Sequence, residues 1–170
     1  MIQISNKSKC CGCTACVSIC PKQCITMRED EEGFLYPMVD SSPCIDCNLC
    51  KKICPELHSK ERREPLNVYA AKHKNEQVRL ASSSGGIFTL LAEKIIDEGG
   101  VVFGARFNNN WNVIHDYTET KEGLAAFRGS KYVQSYMGNC YLKTKSFLDQ
   151  DRKVMFTGTP CQIAGLKSYL

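Results

Sequence analysis

Twelve cysteines in 170 residues are the strongest chemical signal in this chain, and they are unevenly spread. Ten lie between Cys10 and Cys54, leaving only Cys140 and Cys161 beyond. Cys10, Cys13, Cys16 and Cys20, followed by Pro21, have the spacing C-x2-C-x2-C-x3-C-P, and Cys44, Cys47, Cys50 and Cys54, followed by Pro55, repeat it. Three thiolates separated by two residues can wrap three corners of one iron–sulfur cube, while loop amides hydrogen-bond its sulfurs. The fourth cysteine starts a helical turn, and the proline directs the chain away.

In two-cluster ferredoxins that fourth cysteine reaches the other cluster. The expected ligand sets are therefore Cys10, Cys13, Cys16 and Cys54 for one 4Fe-4S cluster, and Cys44, Cys47, Cys50 and Cys20 for the other. Zinc ribbons pair two C-x2-C knuckles and have no use for a third cysteine with a trailing proline. Cys11 and Cys24 fall outside the pattern: Cys24 reads as a buried core thiol, and Cys11 is expected to face away from its cluster. A segment of about 58 residues buries little apolar surface, so bound metal must supply part of its folding energy.

Composition agrees with an electron-transfer role. Hydrophobic residues make up 43% and charged residues 24%, ordinary for a globular protein. No apolar run approaches the roughly 18 residues of a membrane span, and Met1 to Lys7 lacks the apolar stretch of a secretory signal. Those features and the cysteine usage place the protein in a reducing cytoplasm, where cysteines hold metals more often than disulfides. The formal charge of +4 counts thiols as neutral. Each oxidised cluster with its thiolates adds about −2, bringing the total to about 0. No basic stripe with interleaved aromatics points to nucleic acid.

The elements that position these residues change character along the chain. Residues 1–58 read as an α+β, ferredoxin-like two-cluster module, with Gly33 to Val39 as a short strand pair between the cluster loops. Residues 59–66 read as a polar, proline-terminated linker, and 67–170 as an α/β domain. In that domain Val68 to Ala71 is an expected strand, and Ile87 to Ile96 has helical apolar spacing ended by Gly99-Gly100. Strands are expected at Val101 to Phe107 and Val113 to Tyr117, with helices near Lys121 to Phe127 and Gly138 to Leu148. The strand Lys153 to Thr157, expected to be buried, runs into a final helix reaching Leu170 without a glycine stop. The α/β domain is accordingly expected to be truncated, the N-terminal part of a longer protein.

Three segments of this second half could carry chemistry. Ser82 to Gly86 places hydroxyls and flexible amides at a helix N-terminus, suited to a phosphate or to plain capping. Arg128-Gly129-Ser130-Lys131-Tyr132 combines two cations, a glycine and an aromatic in one loop. Gly158-Thr159-Pro160-Cys161 is a strand-to-helix turn with Thr159 as N-cap and Pro160 at the first helical position. Such turns lie where open α/β sheets bind ligands. Cys161, if exposed there, would have a lowered thiol pKa; otherwise it packs as a small residue under the turn. His58, His73 and His115 lack ligand spacing and read as surface or structural, and Cys140 reads as core.

The order of these motifs resembles the beta subunit family of coenzyme F420 hydrogenases and dehydrogenases. The resemblance rests on the double cysteine run, Ser83-Ser84-Gly85-Gly86, Gly129-Ser130-Lys131-Tyr132-Val133-Gln134-Ser135 and Phe156-Thr157-Gly158-Thr159-Pro160-Cys161-Gln162. It spans the family's ferredoxin module and N-terminal α/β domain, without the family's C-terminal domain. Members are iron–sulfur flavoproteins that carry FAD. The resemblance therefore implies that Ser83 to Gly86, Arg128 to Tyr132 and Gly158 to Cys161 are walls of a flavin site. Cys161, from its place at the helix start, is the one candidate for a catalytic residue. Coenzyme F420 as the organic substrate enters only through this resemblance.

Two readings follow. In the first, the chain is part of a flavin-dependent oxidoreductase that moves electrons between FAD, an organic substrate and a redox partner protein or ferredoxin. In the second, it is a non-catalytic relay whose α/β domain docks the ferredoxin module onto a separate enzyme.

Overall fold

The computed structural model describes residues 1–58 and 64–170. Of the linker expected over 59–66, positions 59–63 lie outside the described residues. In chain order the elements are α1 (Ala15–Ser18), β1 (Ile25–Glu29), β2 (Leu35–Val39), α2 (Leu49–Lys52), α3 (Glu76–Leu80), α4 (Ile87–Asp97), β3 (Val101–Phe107), β4 (Val113–Thr118), α5 (Cys140–Asp149), β5 (Val154–Phe156) and α6 (Pro160–Tyr169). They form two compact units. The first joins the cysteine-rich segment to Gly158–Leu170, and the second ends at Thr157. Among the described residues no helix is long and apolar enough to cross a membrane.

In the first unit β1 and β2 pair antiparallel, with Ile25 opposite Val39. The stretch Gly33 to Val39 thus supplies one strand of a hairpin rather than two. Asp30 closes the turn by accepting from the amides of Glu32 and Phe34. Helices α1 and α2 have four residues each, far too few to be stable alone. The core beneath them consists of Ile2, Cys16, Cys24, Ile25 and Cys50, with Ile4, Val17, Cys20, Val39, Cys44 and Cys54 packed against it. Six of these eleven residues are cysteines, five of them from the two expected ligand sets, so hydrocarbon side chains make up less than half of this core. Helix α6 packs on α1 within the same unit.

The second unit is a three-stranded mixed sheet in the order β4-β3-β5. Strand β3 pairs antiparallel with β4 and parallel with β5. Its alternation divides the core: Val102 faces a cluster with Ala92, Leu124, Phe88, Ile95, Ile96 and Met155, while Phe103 meets the rings of Tyr117, Phe147 and Phe156. Gly99, at φ +75, turns the chain from α4 into β3. Strand β5 is only half-buried because it is a sheet edge. Residues 68–71 form no strand. Val68 and Tyr69 are exposed there, and among the described residues no strand lies alongside to take their backbone hydrogen bonds. Instead this stretch runs into His73, whose amide donates to the Gly85 carbonyl at 2.6 Å.

His115 is structural. It is buried, stacks on Phe156, and makes 2.9 Å hydrogen bonds to Ser135 Oγ through Nδ1 and to the Thr157 carbonyl through Nε2. Burial lowers its pKa below the ordinary 6.5, with the bond to Thr157 opposing. Protonation thus favours the unfolded chain, so the contribution of His115 to stability is complete above about pH 6.5 and is lost as pH falls through its lower folded value. His115→Leu should cost the second unit roughly 1–3 kcal/mol at pH 7.5, because it strands the Ser135 and Thr157 partners. It should also flatten the acid side of the stability curve, as read by amide exchange of β3 and β4 between pH 5 and 8.

Candidate cluster pockets and a glycine-rich cleft

The two cysteine runs fold into local copies of one another. Each short helix is entered through a left-handed residue, Thr14 (φ 63, ψ 6) before α1 and Asn48 (φ 59, ψ 10) before α2. Gly12 (φ 63) and Asp46 (φ 50) hold the corresponding positions two residues earlier. Left-handed residues alternating with right-handed ones turn successive amides towards one concavity, an arrangement that binds anions and iron–sulfur centres.

Each copy borders one pocket. Cys10, Cys13, Cys16 and Cys54 line the first, with about 360 Å³ of empty space. Cys20, Cys44, Cys47 and Cys50 line the second, with about 350 Å³. The fourth cysteine of each run therefore stands in the pocket of the other run. The geometric cause is the turn that follows the third cysteine: α1 carries Cys16 at one end and delivers Cys20 beyond the other, and α2 does the same with Cys50 and Cys54. Among the described residues no three His, Cys, Asp or Glu side chains close on a single-ion position. Four thiolates that each hold a different iron of a cube stand farther apart than four sharing one zinc. The Thr14 hydroxyl lines the first pocket, buried and without a hydrogen-bond partner, as a donor aimed at a cluster sulfide would be. The donor sets fit two cubane clusters.

Electrostatics separates the pockets' thiols. Burial pushes the Cys16 thiol up to about 12, and the neighbouring Cys10 and Cys54 add to the shift. Burial also opposes ionisation of Cys20, but the Cys24 backbone and thiol and the amides of Lys22 and Gln23 outweigh it and lower its pKa. Iron binding must expel these protons, so loading of the pockets is coupled to pH. Cys24, with its sulfur 3.3 Å from that of Cys20, is buried as expected. Cys11 does not face away: it lines the first pocket.

In the second unit, Ser82 to Phe88 and Phe127 to Ser130 line one open cleft of about 830 Å³. The Ser130 amide donates to Ser83 Oγ at 2.8 Å, joining the two segments. Helix α4 begins at Gly86 (φ +78) with no side-chain cap, leaving its first amides available to a ligand. At Gly85 a side chain would collide with the Ala71 carbonyl oxygen, so the serine-glycine loop lies against residues 71–73. Arg128 reaches Thr89 Oγ1 through Nε at 3.0 Å, and no other partner of its guanidinium is found among the described residues.

Lys131 and Tyr132 are not among the residues lining this cleft. The Lys131 ammonium donates to the carbonyls of Ala126 and Arg128 and so braces its own loop. Tyr132 is 93% exposed. Phe88 and Phe127, which the sequence reading did not single out, form apolar parts of the wall; in sequence they look like ordinary core aromatics. Gly158, Thr159 and Cys161 belong to the first unit. There Thr159 caps α6 in a capping box with Gln162, and Pro160 takes the first helical position. Cys161 is half-buried, and burial raises its thiol pKa rather than lowering it, with Thr159 opposing.

Residues 9–57 match the family model described as the 4Fe-4S dicluster domain, and residues 68–140 match coenzyme F420 hydrogenase/dehydrogenase, beta subunit N-term. The Gly158 to Cys161 turn lies beyond both matches. No curated protein matches the chain. Two 4Fe-4S clusters, the electron-transfer role they carry and the need for a redox partner follow from the dicluster domain. In chain order, then, the protein carries one segment that matches a 4Fe-4S dicluster domain and a second that matches the N-terminal domain of the coenzyme F420 hydrogenase/dehydrogenase beta subunit.

Proposed function

We propose that this chain is the cluster-bearing part of a flavin-dependent oxidoreductase, in which the glycine-rich cleft receives the pyrophosphate of FAD. The observation that carries this reading is the convergence of Ser83 to Gly86 and Arg128 to Ser130 on one cleft at the uncapped start of α4. FAD when bound exchanges a hydride with an organic substrate and single electrons with iron–sulfur clusters, which accounts for both kinds of site in one chain. The α4 amides and Arg128 supply positive potential to a diphosphate. Ser83 holds the Arg128 loop in place, and Phe88 and Phe127 exclude water from one side. In the first unit, Cys10, Cys13, Cys16 and Cys54 would hold one cluster, and Cys44, Cys47, Cys50 and Cys20 the other.

The partner is a one-electron carrier of the ferredoxin kind, and the setting a reducing cytoplasm. The organic substrate is a hydride donor or acceptor, with a deazaflavin among the candidates through the family. Titration of anaerobically purified protein with FAD, followed by quenching of flavin fluorescence, tests the reading. Saturable 1:1 binding at micromolar FAD or below is expected. No binding at tens of micromolar would remove the flavin and leave a relay that docks onto a separate catalytic subunit.

A further inference from the structure

The two cysteine loops are local copies, but they differ in what reaches solvent. Asp46 to Leu49 are all exposed, whereas the matching Gly12 to Ala15 are all buried. Cys47 is therefore an exposed thiol of the second pocket, and its counterpart Cys13 a buried one of the first. Two apolar side chains meet water at this surface, Ile45 at 58% and Leu49 at 37% exposure. Lys22 lines the same pocket as both, and Lys51 and Lys52 follow Leu49 in α2. All three lysines are exposed, and among the described residues none of them has a salt-bridge partner. Of the neighbouring acids, Asp46 pairs with the Met1 ammonium at 2.6 Å, and Asp40 accepts from the Ser42 amide. The apolar patch thus has a rim with an excess of positive charge.

We propose that this face, with Ile45 and Leu49 at its centre and Lys22, Lys51 and Lys52 around them, docks the redox partner, an acidic one-electron carrier protein. This rests on the two-cluster reading above. A dicluster domain needs a redox partner, and electron exchange between proteins falls off steeply with distance. The partner therefore docks where a cluster pocket has the least protein over it, which is the second pocket, at Cys47. Electron-transfer encounters are small and weak, so a patch of this size is enough. An apolar centre within a polar rim is the anatomy of such interfaces, and the rim charges steer the encounter and fix its orientation. A cluster with its thiolates carries about −2, a charge that repels an acidic carrier. The three lysines stand at the surface, so they meet the carrier's carboxylates first and offset that repulsion.

The test uses anaerobic, cluster-loaded full chain, with an acidic plant-type 2Fe-2S ferredoxin as the probe and a basic cytochrome c as the opposite-charge control. Calorimetric titration should show saturable ferredoxin binding that weakens steeply as salt rises from about 0.01 to about 1 M. Carbodiimide, which joins ammonium groups to carboxylates, should link the ferredoxin through Lys22, Lys51 or Lys52. Lys22→Glu and Lys51→Glu together should weaken binding about tenfold while about eight irons are retained. Lys167→Glu, a charge reversal on α6, should leave the affinity within about twofold of the parent. Ile45→Ser should weaken binding without altering its salt dependence. A chain that keeps its iron overturns the docking face if it shows no saturable ferredoxin binding at low salt. Cross-links confined to other lysines, or full affinity in the double lysine variant, overturn it as well. Tighter binding of cytochrome c than of ferredoxin overturns the acidic class of partner. A chain that never binds more than a trace of iron overturns the two-cluster reading itself, and the docking face with it.

Discussion

Replacing Cys20 with alanine in a Cys24→Ala background should remove about four of about eight irons and spare the cluster facing Cys10, Cys13 and Cys16. The reason is the exchange of fourth ligands, since Cys20 stands in the pocket of Cys44, Cys47 and Cys50. Cys24 is removed as well because its sulfur, 3.3 Å from that of Cys20, could take over as ligand. Cys54→Ala should have the reciprocal effect on the first pocket. Residues acting on one site are not additive. Adding Cys44→Ala to the Cys20 variant should therefore cost no further iron, whereas adding Cys54→Ala should empty the protein. If each run instead held its own cluster, Cys20 and Cys44 together would remove all the iron. Because the core of this unit is largely cysteine, variants that lose both clusters should also lose cooperative unfolding of β1 and β2.

The second large effect is expected at Gly85. An added Cβ would meet the Ala71 carbonyl oxygen, a backbone atom that no rotamer change can move aside. Gly85→Ala must displace either the serine-glycine loop or residues 71–73, at a cost of about 1–3 kcal/mol in stability. It should also weaken FAD binding by at least about tenfold, equivalent to about 1.4 kcal/mol. Ser84→Ala, which leaves the backbone unchanged, provides the comparison: stability should be nearly that of the parent. Fluorescence titration with FAD and denaturant unfolding of both variants check this pair of outcomes.

The contrast between local and distant signals accounts for what could be read beforehand. The cysteine spacing encodes both cluster loops, because a wrap of thiolates around one cube is set by residues only a few positions apart. Strand β3 and helix α4 were legible from apolar periodicity and the Gly99-Gly100 break. The Thr159–Pro160 start of α6 was legible from capping chemistry. Val68 to Ala71 misled because β-branched and aromatic residues signal a strand only where a neighbour pairs with it, and none of the described residues does. Cys11 was equally opaque, since the pocket it lines is closed by Cys54 and Met27 from distant parts of the chain. The role of Lys131 turned on side-chain direction: a cation in a candidate ligand loop instead braces that loop through two carbonyls. Sequence spacing carries none of that information.

The most direct test of the central claim is a joint assay of iron, acid-labile sulfide and released flavin on one anaerobically purified, FAD-supplemented sample of the full chain. About eight irons, eight sulfides and one FAD per chain are predicted. Zinc without sulfide would contradict the cluster assignment, and eight irons without flavin at saturating FAD would contradict the oxidoreductase reading.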